Sequence, residues 1–144
     1  MNKKYELLVD DTITFLGWKL FRIKALISFG SVEAGELGGY VAKEGNLSHE
    51  GDAWVYGDAW VFGNAEVFGN AEVKSLKDYI VFKNNWSSGR YFTYTKSNKM
   101  WKAGCFYGTG QELINEAYKD SENSGKRYEA YVKFVEQLEV LEVE

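Results

Sequence analysis

From Gly39 to Lys74 the apolar positions recur every six residues. Gly stands at 39, 45, 51, 57, 63 and 69, Asp or Asn at 46, 52, 58, 64 and 70, Ala at 53, 59, 65 and 71, and Val at 55, 61, 67 and 73. A fixed period means one structural unit stacked on copies of itself. In an extended chain, side chains alternate between faces, which turns the Val and Ala columns inward and the residues between them outward. Gly-Asp and Gly-Asn supply the corners, because Gly accepts positive φ and Asx side chains bond their own backbone. Three faces of six residues close a turn of about 18 residues. Gly39–Tyr56 and Gly57–Lys74 are then two coils, with Val55 beneath Val73. Two coils leave both ends open, so the rest of the chain must cap them.

The flanking segments follow other periods. Lys4–Val9 is a short apolar strand ended by Asp10-Asp11, and Ile13–Phe15 with Lys19–Ala25 reads as a β-hairpin around Leu16-Gly-Trp18. Ser28–Gly39 is Gly-rich and irregular. Beyond Lys74, the runs Tyr79–Lys83, Tyr91–Thr95 and Met100–Phe106 are rich in aromatic and β-branched residues, and turn residues separate them as in an antiparallel meander. Thr109 and Glu112 form a capping box ahead of Leu113, Ile114, Ala117 and Tyr118 at helical spacing. A polar loop over Asp120–Gly125 precedes a second helix from about Lys126, which buries Tyr128, Tyr131, Val132, Val135 and Leu138.

The run VYGDAWVFGNAEVFGNAEV resembles the bacterial hexapeptide repeat of left-handed β-helices. At the edge of the match, Val41 and Leu47 replace Ala, and His49 stands in the Val column. More of the chain resembles the hexapeptide-repeat proteins encoded by phages and prophages, through Thr12–Leu26, Gly35–Val41, Asn46–Ser48 and Gly104–Thr109. The expected architecture is mainly β with C-terminal helices (α+β). It comprises an N-terminal β cap over 1–38, a short left-handed β-helix of about two coils over 39–74, and a C-terminal βββαα module over 75–144.

Composition narrows the class. At 144 residues and 45% hydrophobic, the chain is long enough for one domain with a core. No run reaches the roughly 18 apolar residues of a membrane span. The start MNKKYELLVDD lacks the apolar centre of a signal peptide, so a host-cell cytoplasmic location is expected. Cys105 is the single cysteine and is expected to be a small buried apolar group. With one histidine and no Cys cluster, no metal site is expected, and no cofactor is implied.

Charge is concentrated. Between Lys74 and Gln111 there are seven basic residues against the one acid Asp78, a local balance of +6 in a chain of net charge −4. Trp86, Tyr91, Tyr94 and Trp101 are interleaved with Arg90, Lys96, Lys99 and Lys102. This pattern suits an anionic ligand with a flat ring, such as a nucleotide or a nucleic-acid strand, because rings stack while cations neutralise phosphate. The alternative is a core of meander aromatics with a solvated lysine face. The acidic C-terminal runs, Glu136–Glu139 and Leu141–Glu144, read as a solvated helix face. Trp54, Tyr56, Trp60, Phe62 and Phe68 fall at outward positions of the repeat. They require cover from the chain's own caps, from a second copy in a homo-oligomer, most simply a dimer, or from a foreign partner.

Two functional classes remain. As a hexapeptide-type acyltransferase, the chain would use His49 as general base. As a non-catalytic accessory protein of the phage type, it would occupy a host component, including a defence-related protein or nucleoprotein complex, or sequester a nucleotide-like ligand. A purely structural oligomerisation module is a further alternative. The binding reading is preferred, because the register turns His49 inward and two coils are short for an acyl carrier.

Overall fold

The computed structural model describes residues 3–142. It opens with β1 (Tyr5–Phe15) and β2 (Trp18–Ala25), an antiparallel hairpin. Leu16 and Gly17 turn it with φ of 48° and 85°, the positive-φ pair that matches the twist of two-residue hairpins. The two expected segments before this turn are one strand. Their break is a bulge, where the register passes from Leu8 opposite Arg22 to Thr12 opposite Phe21. Asp11, in the bulge, accepts from the Arg22 Nε at 2.9 Å.

β3 (Leu37–Val41) pairs antiparallel with β2, and its other edge pairs parallel with β5 (Trp60–Val61). β4 (Trp54–Val55) and β6 (Glu72–Val73) form a separate parallel pair that sets Val55 opposite Val73, as expected. The Val and Ala columns are interior throughout, with Val55, Val61, Ala65, Val67 and Val73 all fully buried.

The left-handed β-helix expected over 39–74 is nevertheless not the architecture found. The fold is mixed α+β, with three separate sheets among the described residues, and beyond Val41 the repeat contributes only dipeptide strands divided between two of them. Dipeptide strands form few ladder bonds, and the antiparallel hairpin occupies the free edge of β3, so the sheet that receives β5 is mixed. The repeat register also slips. Val41 lies opposite Val61 and Leu47 opposite Val67, whereas β4 and β6 keep the hexad spacing. Val41 and Leu47 therefore belong to the Val column, and the two extra residues of the slip displace His49 from it.

The Asn46 side chain supports the slip. Fully buried, it accepts from the Ala42 and Lys43 N–H groups at 3.1 Å and donates to the Ala65 and Gly63 carbonyls at 2.8 and 3.2 Å. Lys4 covers an end of the same core. Its Nζ donates to the Ala53 carbonyl at 2.6 Å and lies 4.7 Å from the Phe29 ring centre.

The C-terminal part is an antiparallel sheet of β7 (Tyr79–Lys83), β8 (Tyr91–Thr95), β9 (Met100–Ala103) and β10 (Phe106–Thr109). Four strands stand where three were expected, because Gly104, at φ 58°, turns the run Met100–Phe106 back on itself. One face carries Phe82, Phe92, Tyr94 and Trp101 into a core shared with α1 (Gly110–Asp120) and α2 (Glu122–Glu142). The other packs Tyr79 and Val81 on the repeat core. There the Tyr79 hydroxyl donates to the Trp60 carbonyl at 2.9 Å, and Thr93 Oγ accepts from the Glu66 N–H at 3.0 Å.

The polar loop expected over Asp120–Gly125 is also absent. Ser121 alone separates the helices, and its Oγ accepts from the Ser124 N–H at 3.0 Å as a cap. Gly125 lies inside α2, where a Cβ would meet the Tyr118 ring at 2.3 Å. No described helix is long and apolar enough to cross a membrane.

Candidate functional site

The basic, aromatic segment does not form one continuous surface. Tyr94 and Trp101 are 4% and 2% exposed, beneath the helices. Trp86 is half-buried, with its ring centre 5.1 Å from that of Tyr128 and 5.8 Å from that of Tyr131. Lys96 pairs with Glu142, Lys99 pairs with Glu139 at 2.8 Å, and the Lys102 ammonium lies 4.7 Å from the Phe68 ring centre and 3.9 Å from Glu66. The acidic run of α2 therefore faces the lysines, rather than serving only as a solvated helix face. Tyr94 donates to Glu139, and burial together with that carboxylate pushes its phenol well above the usual range. Burial opposes ionisation of Glu139, but hydrogen bonds from Lys99 and Tyr94 hold its pKa below the ordinary value.

The outward aromatics of the repeat are covered in part by the chain itself. Trp54 is fully enclosed, its ring centre 5.2 Å from that of Phe29, so it is removed from any subunit interface. Phe15 meets Trp60 at 4.5 Å and Phe62 at 5.6 Å, Trp18 meets Phe62 at 6.1 Å, and Tyr107 meets Phe68 at 6.4 Å. Tyr56, like Trp60, Phe62 and Phe68, is half-buried.

His49 is held on every side. Its ring stacks on Tyr5 with centres 4.1 Å apart, Nδ1 accepts from the Lys4 N–H at 3.1 Å, and Nε2 lies 3.0 Å from Glu44 Oε1. Both ring nitrogens are thus engaged by other parts of the chain. Cys105, expected to be buried, is exposed, because Gly104-Cys105 is a turn rather than the continuation of a strand.

Arg90 stands apart from the other predicted cations. Among the described residues its exposed guanidinium has no hydrogen-bond or ion-pair partner, and it lies across Gly104, where a Cβ would come within 2.3 Å of Nη1. It lines two cavities, of about 340 and about 210 Å³. The smaller is bounded by Lys43, Asn64, Glu66 and Tyr91. Tyr91 is 41% exposed, and the Lys83 ammonium lies 5.9 Å from its ring centre.

The larger cavity is a cleft between the loop joining β7 to β8 and the junction of α1 with α2. Asn84, Ser87, Ser88 and Arg90 line it from the loop, and Glu116, Asp120, Ser124 and Tyr128 from the helices. The loop is closed by the Asn84 N–H donating to the Arg90 carbonyl at 2.7 Å and by the Gly89 N–H returning to the Asn84 carbonyl at 2.8 Å. Gly89 makes the turn at φ 76°. The Asn84 side chain is buried at 6% exposure. Its Nδ2 donates to the Tyr128 hydroxyl at 3.5 Å, and its Oδ1 has no partner. Burial pushes the Tyr128 phenol up, against the influence of Asn84 and Arg90.

The sequence pattern singled out Arg90 and Tyr91 as contact candidates and did not single out Asn84. An asparagine directly after a five-residue strand was the available signal, but it did not indicate burial. The cleft offers a cation and two carboxylates beside an apolar wall, a set suited to holding a small polar ligand. The chain matches no protein-family model and no curated protein.

Proposed function

We propose that this protein is a non-catalytic binding protein, an accessory product of the phage type acting in the host cytoplasm, that captures a small anionic, nucleotide-like ligand in the cleft at Arg90. The observation that carries this reading is the unpartnered Arg90 guanidinium among the residues that line a cavity of about 340 Å³. Guanidinium is the planar fork that takes phosphate oxygens in pairs, and its neighbours in the basic segment are already engaged by carboxylates.

Calorimetric titration of the full chain with nucleoside monophosphates is the test. Binding in the micromolar range is expected. Arg90→Ala removes a charge-assisted contact of about 1.5–3 kcal/mol, a loss of roughly 10- to 150-fold. Nucleotide affinity that survives Arg90→Ala unchanged refutes the reading.

A second reading, occupation of a host protein or of a second copy of this chain, is favoured by the end of α2, where Phe134, Val140 and Leu141 are 47%, 60% and 64% exposed. Light scattering on the purified chain distinguishes a dimer from a monomer, and a dimer that persists in Phe134→Asp and Leu141→Asp excludes this patch as its interface.

A further inference from the structure

We infer that Lys43 and Arg90 form a two-cation clamp for a terminal phosphate, seated in the smaller cavity of about 210 Å³ with the rest of the ligand extending past Arg90 into the larger one; this rests on the anion reading of Arg90 given above. The cations come from different parts of the fold. Lys43 follows β3 by two residues, and Arg90 directly precedes β8. Lys43 is exposed, and among the described residues its ammonium, like the Arg90 guanidinium, has no hydrogen-bond or ion-pair partner. Each side chain runs over a glycine: a Cβ at Gly45 would stand 3.9 Å from Lys43 Cε, and one at Gly104 2.3 Å from Arg90 Nη1. Two unpaired cations that line one cavity create a positive field, which an anion relieves.

The walls of the smaller cavity are fixed by the fold. The fully buried Asn46 amide accepts from the Lys43 N–H at 3.1 Å and donates to the carbonyl of Ala65, another lining residue, at 2.8 Å. The Glu66 N–H donates to Thr93 Oγ at 3.0 Å, which ties the repeat to the strand that begins beside Arg90. Charge decides which cavity takes the phosphate. The larger sets Glu116 and Asp120 against Arg90, whereas the smaller sets Lys43 and Arg90 against Glu66, whose carboxylate lies 3.9 Å from the Lys102 ammonium. At about 210 Å³ the smaller cavity falls below the roughly 300–1,000 Å³ of whole-ligand sites, so it takes the charged end of a ligand and not all of it. A phosphomonoester carries about −1.5 to −2 charges at neutral pH and a phosphodiester only about −1, so a pair of cations selects the monoester.

The experiment is calorimetric titration of the full chain with AMP, with cyclic AMP as the monoanion of the same base and sugar, and with inorganic pyrophosphate. AMP is expected to bind at least about tenfold more tightly than cyclic AMP. Lys43→Ala, at an exposed position, should weaken AMP about tenfold and bring it to the level of cyclic AMP, whereas Lys43→Arg should keep the difference. Arg90→Ala should weaken both nucleotides. AMP affinity should also rise between about pH 5 and about pH 7.5 in the native chain, as the phosphate loses its second proton near pH ~6, and rise less in Lys43→Ala. Equal binding of AMP and cyclic AMP, still dependent on Arg90, overturns the clamp and leaves the anion reading standing, and so does an AMP preference that survives Lys43→Ala unchanged. Pyrophosphate held through both cations with no binding of AMP supports the clamp and sinks the nucleotide reading. Absence of binding by all three overturns both.

Discussion

Replacing Asn46 by Ala tests how the slipped register of the repeat is held. The fully buried side chain makes four hydrogen bonds, to the Ala42 and Lys43 N–H groups on one side and to the Gly63 and Ala65 carbonyls on the other. The bond to Ala65 is completely enclosed, and the other three are partly buried. Losing a partner in an enclosed bond costs about 1–3 kcal/mol, and a partly wet bond about 0.5–1.5 kcal/mol. Allowing water to reach some of the freed groups, Asn46→Ala should cost about 4 kcal/mol. For a domain of this size, each kcal/mol lowers the melting temperature by about 2–4 °C, so the loss should be roughly 8–16 °C. The variant should remain folded at room temperature, because the Val column on either side of Asn46 is untouched. Thermal denaturation followed by circular dichroism measures the effect. A melting temperature within about 2 °C of the native protein would refute the view that this amide pins the register.

Stability should rise with pH between about 8 and 10, because burial lowers the Lys4 pKa to about 8 against an opposing influence from Asp52. In that interval the unfolded chain binds the proton more tightly than the folded one, so raising the pH relieves a cost that is fully present below pH 8. Above about pH 10 the trend should reverse, since burial pushes Tyr5 upward and Tyr79 to about 12, and unfolding releases those phenol protons. Urea midpoints across this range measure it, and a rise that persists in Lys4→Met would contradict the assignment. Gly39→Ala should cost on the order of 1–3 kcal/mol or more. Its Cβ would fall 2.4 Å from the Ala59 carbonyl oxygen, which accepts from the Tyr40 N–H and joins β3 to β5. An unchanged melting temperature for that variant would show that the two strands can separate without loss.

What could be read in advance was whatever repeats locally. The six-residue period was enough to place Val55, Val61, Ala65 and Val73 inside, because alternation and glycine corners act over a few residues, whatever the rest of the chain does. The Leu16-Gly17 hairpin and the Thr109–Glu112 capping box were legible for the same reason. The architecture around the repeat was not, since whether its strands close on themselves or join another sheet depends on which edge a distant hairpin occupies. His49 kept its place in the column on paper because a two-residue slip leaves no mark in composition, whereas in three dimensions Asn46 stabilises it. Lys96 and Lys99 looked free because Glu142 and Glu139 lie at the far end of α2, and only the packing of that helix across the sheet brings the charges together. Arg90 escaped that neutralisation by standing at the other end of the same sheet. The burial of Asn84 could emerge only there, where a turn, a glycine and two helix ends enclose one amide.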